Sequence, residues 1–217
     1  MPFWEGHIDG KPVVVALTGV GKTSTGVVTA LFVEHFKPRA VVMSGTGARA
    51  NPDLRTGDVI VATSMAEHDY GSLTRNDMVY APFKSPADGA PLENSFSPPP
   101  SLLAAADKAI ATYKGPEVTV NGATYRVKVR RGIVSSSDLF GVTQARLDTL
   151  KAQFNTDIME MESAAFAHAC VLLGAPCIVV SAGSNVAQET PNDDYLRLGP
   201  IAAKQAALFS LHLLKYI

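Results

Sequence analysis

Short β-branched runs, apolar at successive positions and followed by longer runs with helical spacing, recur along most of this chain. No other feature limits its fold as strongly. Val13-Val-Val-Ala-Leu17, Val41-Val-Met43, Val59-Ile-Val61, Tyr125 to Val134, Ile158-Met-Glu-Met161 and Cys177 to Ser181 read as strands. Lys22 to Phe36 places Val27, Val28, Leu31, Phe32 and Phe36 on one helical face. Leu102 to Tyr113, Gln144 to Phe154, Ser163 to Leu173 and Leu198 to Tyr216 read as further helices. A strand that is apolar on both sides must be covered on both sides. The alternation therefore predicts an α/β fold with a mostly parallel sheet flanked by helices. With 217 residues and no internal repeat, a single domain over residues 1–217 is expected.

Such a chain buries roughly 70% of its unfolded surface, so it needs no disulfide or metal staple. A hydrophobic share of 47% with 18% charged residues excludes intrinsic disorder. The formal charge of −1 leaves no electrostatic footprint for nucleic acid or an anionic membrane. Cys170 and Cys177 have no CxxC spacing and read as buried thiols of a reducing compartment. No metal-ligand spacing occurs, and no cofactor is implied. The stretch Ser163 to Gln188 lacks Asp, Glu, Lys and Arg, but His168, Gly174 and Pro176 divide it into a helix and a strand rather than a membrane span. The opening Met1-Pro-Phe-Trp-Glu-Gly-His has neither the basic nor the apolar region of a signal peptide. The expectation is a soluble, cytoplasmic protein.

Glu67 to Pro100 interrupts the pattern, with six of the 14 prolines and little periodicity. It reads either as a lid over a pocket or as a plain surface excursion. Ala16-Leu-Thr-Gly-Val-Gly-Lys-Thr23 follows a strand and opens a helix, in the relaxed form of the phosphate-loop pattern. A phosphate-loop enzyme also needs a second strand ending in an acid to hold magnesium. Met43 leads into Ser44, Val180 leads into Ser181, and Asp58 precedes its strand, so that reading is set aside. His168 reads as a core or interface histidine and His68-Asp69 as a surface pair. Arg126, Lys128, Arg130 and Arg131 read as a solvated basic strand face.

Four segments carry the functional signal. They are Gly19-Val-Gly-Lys22, Val42-Met-Ser-Gly-Thr-Gly-Ala48 with Gly57-Asp-Val-Ile-Val61, Met159-Glu-Met-Glu-Ser-Ala-Ala165, and Val179-Val-Ser-Ala-Gly-Ser-Asn-Val186. Together, and with Ala202-Ala-Lys-Gln-Ala-Ala207 near the end, they resemble the purine nucleoside phosphorylase and nucleosidase superfamily. The nearest branch is 5′-methylthioadenosine/S-adenosylhomocysteine nucleosidase, and the similarity runs from about Phe3 to the C-terminus. It implies the three-layer α/β fold of that superfamily, a purine nucleoside as small-molecule partner, and a homodimer or larger homo-oligomer.

The resemblance also implies roles. Glu162 stands where the family's second Glu accepts hydrogen bonds from the ribose 2′,3′-diol, and Met161 where the sugar is packed. Thr46, with Gly47, stands where the family has a Ser near ribose and nucleophile. Phe140 matches the aromatic that stacks on the purine, after one inserted residue, and Val20 is an apolar contact. Glu160 and Glu162 are expected on opposite sides of a strand end, one carboxylate entering the pocket. The plainer alternatives remain. Both acids can simply favour the N-terminus of the Ser163 helix. Thr46 and Gly47 can be an ordinary turn, and Phe140 and Met161 core filler.

The chain departs from the pattern in three places. Ser184-Asn185 stands where the nucleosidases carry Ser-Asp, whose Asp protonates purine N7. The Asn185 amide can donate a hydrogen bond there but cannot deliver a proton. Asn at this place also occurs in the 6-oxopurine branch. The sequence opens at a segment similar to the family's second or third strand, so the family's water-activating Glu has no counterpart; Glu5 and Asp9 lie in the wrong segment. Met43 replaces an arginine of the phosphorylases, with Arg49 nearby but off the pattern, and Ser181 stands where nucleosidases tend to have Arg. The implied function is N-glycosidic hydrolysis of a methylthioadenosine/S-adenosylhomocysteine-like or related purine nucleoside, with Asn185 and Ser184 as catalytic positions. The alternatives are a catalytically impaired nucleoside-binding protein and a 6-oxopurine nucleoside phosphorylase.

Overall fold

The computed structural model describes residues 1–75, 78–188 and 192–217. The chain opens with an antiparallel hairpin, β1 (Phe3–Ile8) and β2 (Lys11–Ala16), followed by α1 (Lys22–Phe36), β3 (Val41–Arg49) and β4 (Val59–Glu67). Five short strands follow: β5 (Gly71–Leu73), β6 (Met78–Tyr80), β7 (Phe83–Lys84), β8 (Pro91–Leu92) and β9 (Ser95–Phe96). Then come α2 (Pro100–Thr112), the hairpin β10 (Glu117–Val120) and β11 (Ala123–Arg126), and β12 (Val129–Ser136). The rest is α3 (Gln144–Phe154), β13 (Ile158–Glu160), α4 (Ser163–Leu172), β14 (Cys177–Val186), α5 (Asn192–Leu213) and a 3-10 turn over Leu214–Tyr216.

The central sheet has the order β12-β13-β3-β14-β4-β9, and β12 also pairs with β4. The five strands β4, β12, β13, β3 and β14 therefore close on themselves, with β9 added to the far end of β4. The long ladders, β12 with β4 and β14 with β3, are parallel; β13 with β3 and β14 with β4 are short and antiparallel. Period-2 alternation supplies two cores. Ile60 and Val179 face one with Phe166 and Cys170 of α4. Val59, Val61, Ile178 and Val180 face the other with α2 and α5, where Phe209 and Leu213 are fully enclosed. This is the helix-flanked mixed sheet that the alternation implies. No helix among the described residues is long and apolar enough to cross a membrane.

Several local expectations change. The Val13–Leu17 run is not a central strand. It pairs only with β1, and its residues are half-buried or exposed. Ser44 to Ala48 is not a turn, because β3 continues through it to Arg49. Small residues allow this, since a Cβ at Gly47 would run into the Met159 carbonyl and the Ile158 side chain. The Tyr125–Val134 run breaks at Val127 into β11 and β12, and three of its four basic residues form ion pairs while staying partly exposed; Lys128 is exposed. Arg126 meets Glu117, Arg130 meets Asp157, and Arg131 meets Asp107. The β4–β12 ladder has a bulge in β4, where Thr63 is the extra residue opposite the Gly132–Ile133 step, and the Ile133 amide donates to Asp157 Oδ2 at 2.9 Å.

Apart from residues 76 and 77, which lie outside the described residues, the Glu67–Pro100 segment packs on α4. Tyr70 stacks on Phe83 at 4.3 Å, and the His168 ring lies between Phe83 and Phe96, at 4.3 and 4.9 Å. His168 is thus a core histidine, held neutral more strongly than a free imidazole by burial. His68 is a correction. It is 3% exposed rather than on the surface, and burial with the nearby Arg146 charge pushes its pKa down to about 4.

Candidate active site

A cavity of about 410 Å³ opens at one end of the sheet. β3, β13 with the start of α4, the end of β14, the loop after β12, the turn before α1, and α5 all contribute walls. Val20, Thr46, Gly47, Phe140, Glu160, Met161, Glu162 and Asn185 all line it. Sequence positions from one end of the chain to the other are therefore brought to one place. No described residue of the Glu67–Pro100 segment lines the cavity.

The two carboxylates do not point to opposite sides. Residues two apart in extended chain share a face, and β13 ends at Glu160, so both reach one cavity. They do different things there. Glu160 Oε2 accepts from the amides of Glu162 and Ser163 at 2.9 and 2.8 Å, and Oε1 accepts from Ser136 Oγ. Ser136 Oγ in turn accepts from the Ala164 amide at 2.8 Å. Glu160 thus closes the N-terminus of α4, where a carboxylate is favoured by unpaired amides and the helix dipole. Burial pushes its pKa up to about 7 against those donors. Glu162 is the more available group. Oε1 accepts from the Gly21 amide at 2.7 Å and Oε2 from the Met161 amide at 3.2 Å, leaving lone pairs on both oxygens. Burial raises its pKa, and those two amides oppose the shift.

Asn185 sits at a second bulge. β14 pairs with β3 through Gly183 opposite Gly47, then resumes with Val186 opposite Arg49, so one extra residue is accommodated across Ser184 and Asn185. The bulge aims the Asn185 amide into the cavity. Ser184 is fully buried behind it, outside the cavity lining, with Oγ 2.9 Å from Gly47 O and 3.0 Å from Asn185 Oδ1. Asn185 Nδ2 donates to Val186 O at 2.9 Å. That carbonyl can accept only from the amide nitrogen, which fixes the amide orientation with Oδ1 toward the serine. The second Nδ2–H remains for a ligand.

Phe140 meets Tyr195 edge to face at 5.8 Å, and both line the cavity. Tyr195 is a residue that sequence reading missed. It lies at the start of α5, outside the four motif segments, and only the folded chain brings it to Phe140. Met43 and Met159 add apolar wall. Arg49 does not line the cavity, and its guanidinium donates to Ser184 O at 3.2 Å and Leu54 O at 2.8 Å.

Known proteins bear on this geometry. The phosphorylase superfamily model matches residues 1–215. The 5′-methylthioadenosine/S-adenosylhomocysteine nucleosidase of Actinobacillus succinogenes is 32% identical over 212 residues, covering 97% of this chain and 84% of that protein. The nucleosidase of the same name from Colwellia psychrerythraea is 30% identical over 217 residues, covering 98% and 84%. Among solved structures, the Neisseria meningitidis nucleosidase in complex with methylthio-immucillin-A superposes with a TM-score of 0.81 at 27% identity, covering 99% of this chain and 86% of that one. A Helicobacter pylori nucleosidase mutant, with one aspartate replaced by asparagine and 5′-methylthioadenosine in its active site, gives a TM-score of 0.79 at 25% identity, covering 99% and 85%.

Proposed function

Since the chain belongs to the phosphorylase superfamily, in its 5′-methylthioadenosine/S-adenosylhomocysteine nucleosidase branch, we propose that it is a purine nucleoside hydrolase cleaving the N-glycosidic bond of methylthioadenosine-like or related nucleosides. The observation that carries this reading is the convergence of Glu162, Met161, Thr46, Phe140 and Asn185 on one cavity. Glu162 accepts the ribose diol on its remaining lone pairs. Met161 packs the sugar, while Phe140 and Tyr195 enclose the purine. Positive charge grows on the sugar as the bond between C1′ and N9 breaks, and the nearby carboxylates stabilise it more than they stabilise the substrate. Water attacks C1′, and the bonding pair leaves with the purine. The free Asn185 N–H donates to N7 throughout. The proton that the purine gains comes from solvent, since an amide has none to give.

Phosphorolysis is disfavoured because Met43, and not an arginine, lines the cavity, and Arg49 lies outside the lining. One observation favours a 6-oxopurine within the same reaction. Ser184 holds Oδ1 of Asn185 away from the base, so a 6-amino group would meet no amide oxygen to accept its N–H, while the one free N–H suits N7. We also assign a second copy of this chain as cover for Leu17, Val20, Leu139 and Leu196, an apolar group more than half exposed around the cavity mouth.

Asn185→Asp tests the role of the amide. Burial at this position favours the protonated carboxyl, which, unlike the amide, has a proton to give to N7. A proton donor at N7 is expected to raise purine release by ~100–10,000-fold, read by chromatography of the free base. An unchanged rate would remove Asn185 from the N7 site. The Helicobacter pylori mutant, with an asparagine in place of an aspartate, has 5′-methylthioadenosine in its active site, which supports nucleoside binding here.

A further inference from the structure

The Gly19-Val-Gly-Lys22 turn looks like an anion cradle in sequence, and in the folded chain its donors are already occupied. Gly21 N donates to Glu162 Oε1 at 2.7 Å, and Lys22 N donates to Asp138 Oδ1 at 2.8 Å. The Lys22 ammonium, its side chain only 20% exposed, donates to Glu67 Oε1 and Asp69 Oδ1 at 2.6 Å each. Asp69 Oδ2 accepts from the Asp138 amide at 2.8 Å, which closes the circuit. Carboxylates from the end of β4, the loop after β12 and the start of α4 therefore meet on one short turn. A nucleoside triphosphate would find both the lysine and the amides taken.

The circuit holds parts that the cavity needs. Gly19 and Gly21 have φ of +76° and +87°, so the turn keeps a left-handed backbone that favours glycine. α1 has no side-chain cap from its own N-cap residue. The position of the Gly21 amide is therefore set by what Lys22 grips one residue later. Glu162 takes its orientation in part from that amide, and Val20, between the two glycines, forms cavity wall.

We infer that Lys22 is a positioning residue for sugar recognition: its grip on Glu67 and Asp69 fixes the Gly21 amide, which fixes the Glu162 carboxylate against the ribose diol. This rests on the nucleoside reading of the cavity for its ligand, while the clamp itself is independent of it. Lys22 touches neither base nor sugar. Its loss is felt through Glu162, while Phe140, Tyr195 and Asn185 keep their hold on the purine.

The test compares binding of formycin A, a C-nucleoside whose glycosidic C–C bond resists hydrolysis, with binding of free adenine and hypoxanthine. It uses the full chain and its Lys22→Met variant. The double variant Lys22→Met/Glu67→Gln is measured alongside, because it removes the buried carboxylate left unpaired and keeps the chain foldable. Hydrogen exchange at the Gly21 and Lys22 amides of the unliganded chain reads the clamp directly. Both variants are expected to weaken the nucleoside by about tenfold or more while changing free-base affinity about twofold or less, and to speed exchange at both amides. Equal losses for nucleoside and base, or no loss, would overturn the assignment. If the parent chain binds no purine ligand, the nucleoside reading has failed, and amide exchange alone decides: faster exchange in the variants upholds the clamp, and unchanged exchange ends it.

Discussion

Glu160 and Glu162 differ by one intervening methionine and by everything around their carboxylates. Glu160 is surrounded by donors that belong to the protein, two α4 amides and the Ser136 hydroxyl, whereas Glu162 keeps acceptor capacity for a ligand. Burial raises Glu160 to about 7 from an ordinary value of 4.5, so between those values the folded chain holds a proton that the unfolded chain has released. Its contribution to stability is complete below the lower value and is lost as pH rises through the higher one. Chemical denaturation from pH 4.5 to 8 should show this loss, on the order of 3 kcal/mol from this residue. Glu160→Gln should flatten that part of the profile. An identical slope in parent and variant would mean that Glu160 stays ionised when folded. Glu67 and Glu162, also raised by burial, act in the same direction. His68, lowered to about 4, acts oppositely and withdraws stability as pH falls from its ordinary 6.5 toward that value.

At the scale of elements, the site depends on close approach of backbone. β3 runs on through Ser44 to Arg49 because Gly47 lets β13 lie against it, and that contact places Thr46 and Glu160 in one cavity. Gly47→Ala puts a methyl group into the Met159 carbonyl and the Ile158 side chain. It should cost at least ~1–3 kcal/mol, visible as a lowered thermal midpoint together with weaker nucleoside binding. An unshifted midpoint would show that β13 does not sit so close. The same elements show what periodicity could reveal. α1 and α3 are legible to the residue because apolar spacing, Pro38 and a Thr143 cap that accepts from Arg146 N at 3.2 Å mark their ends. Ser44 to Ala48 reads as a turn because glycine and serine favour turns locally, while ladders on both sides decide the matter in the fold. The bulge at Ser184 and Asn185 leaves no local mark in the sequence at all.

Across the whole molecule, the motif segments named the walls from the turn before α1, β3, β13 and the end of β14, because ligand-facing chemistry sits where strands end, while of the loop after β12 only Phe140 was named. Tyr195 escaped, since an aromatic at a helix start has many ordinary uses, and so did closure of the sheet, which depends on pairings between distant strands. Ser184, at a position that the resemblance makes catalytic, lies buried behind Asn185 with its Oγ 3.0 Å from the amide Oδ1. The proposal for the assembled chain is that it breaks an N-glycosidic bond with water, holding N7 by an amide. The most direct measurement is free-purine release from methylthioadenosine, S-adenosylhomocysteine, adenosine and inosine, each with and without phosphate. Release from at least one of them at a rate that phosphate does not change is the predicted result. Release that requires phosphate, or tight nucleoside binding with no release from any of the four, would contradict it.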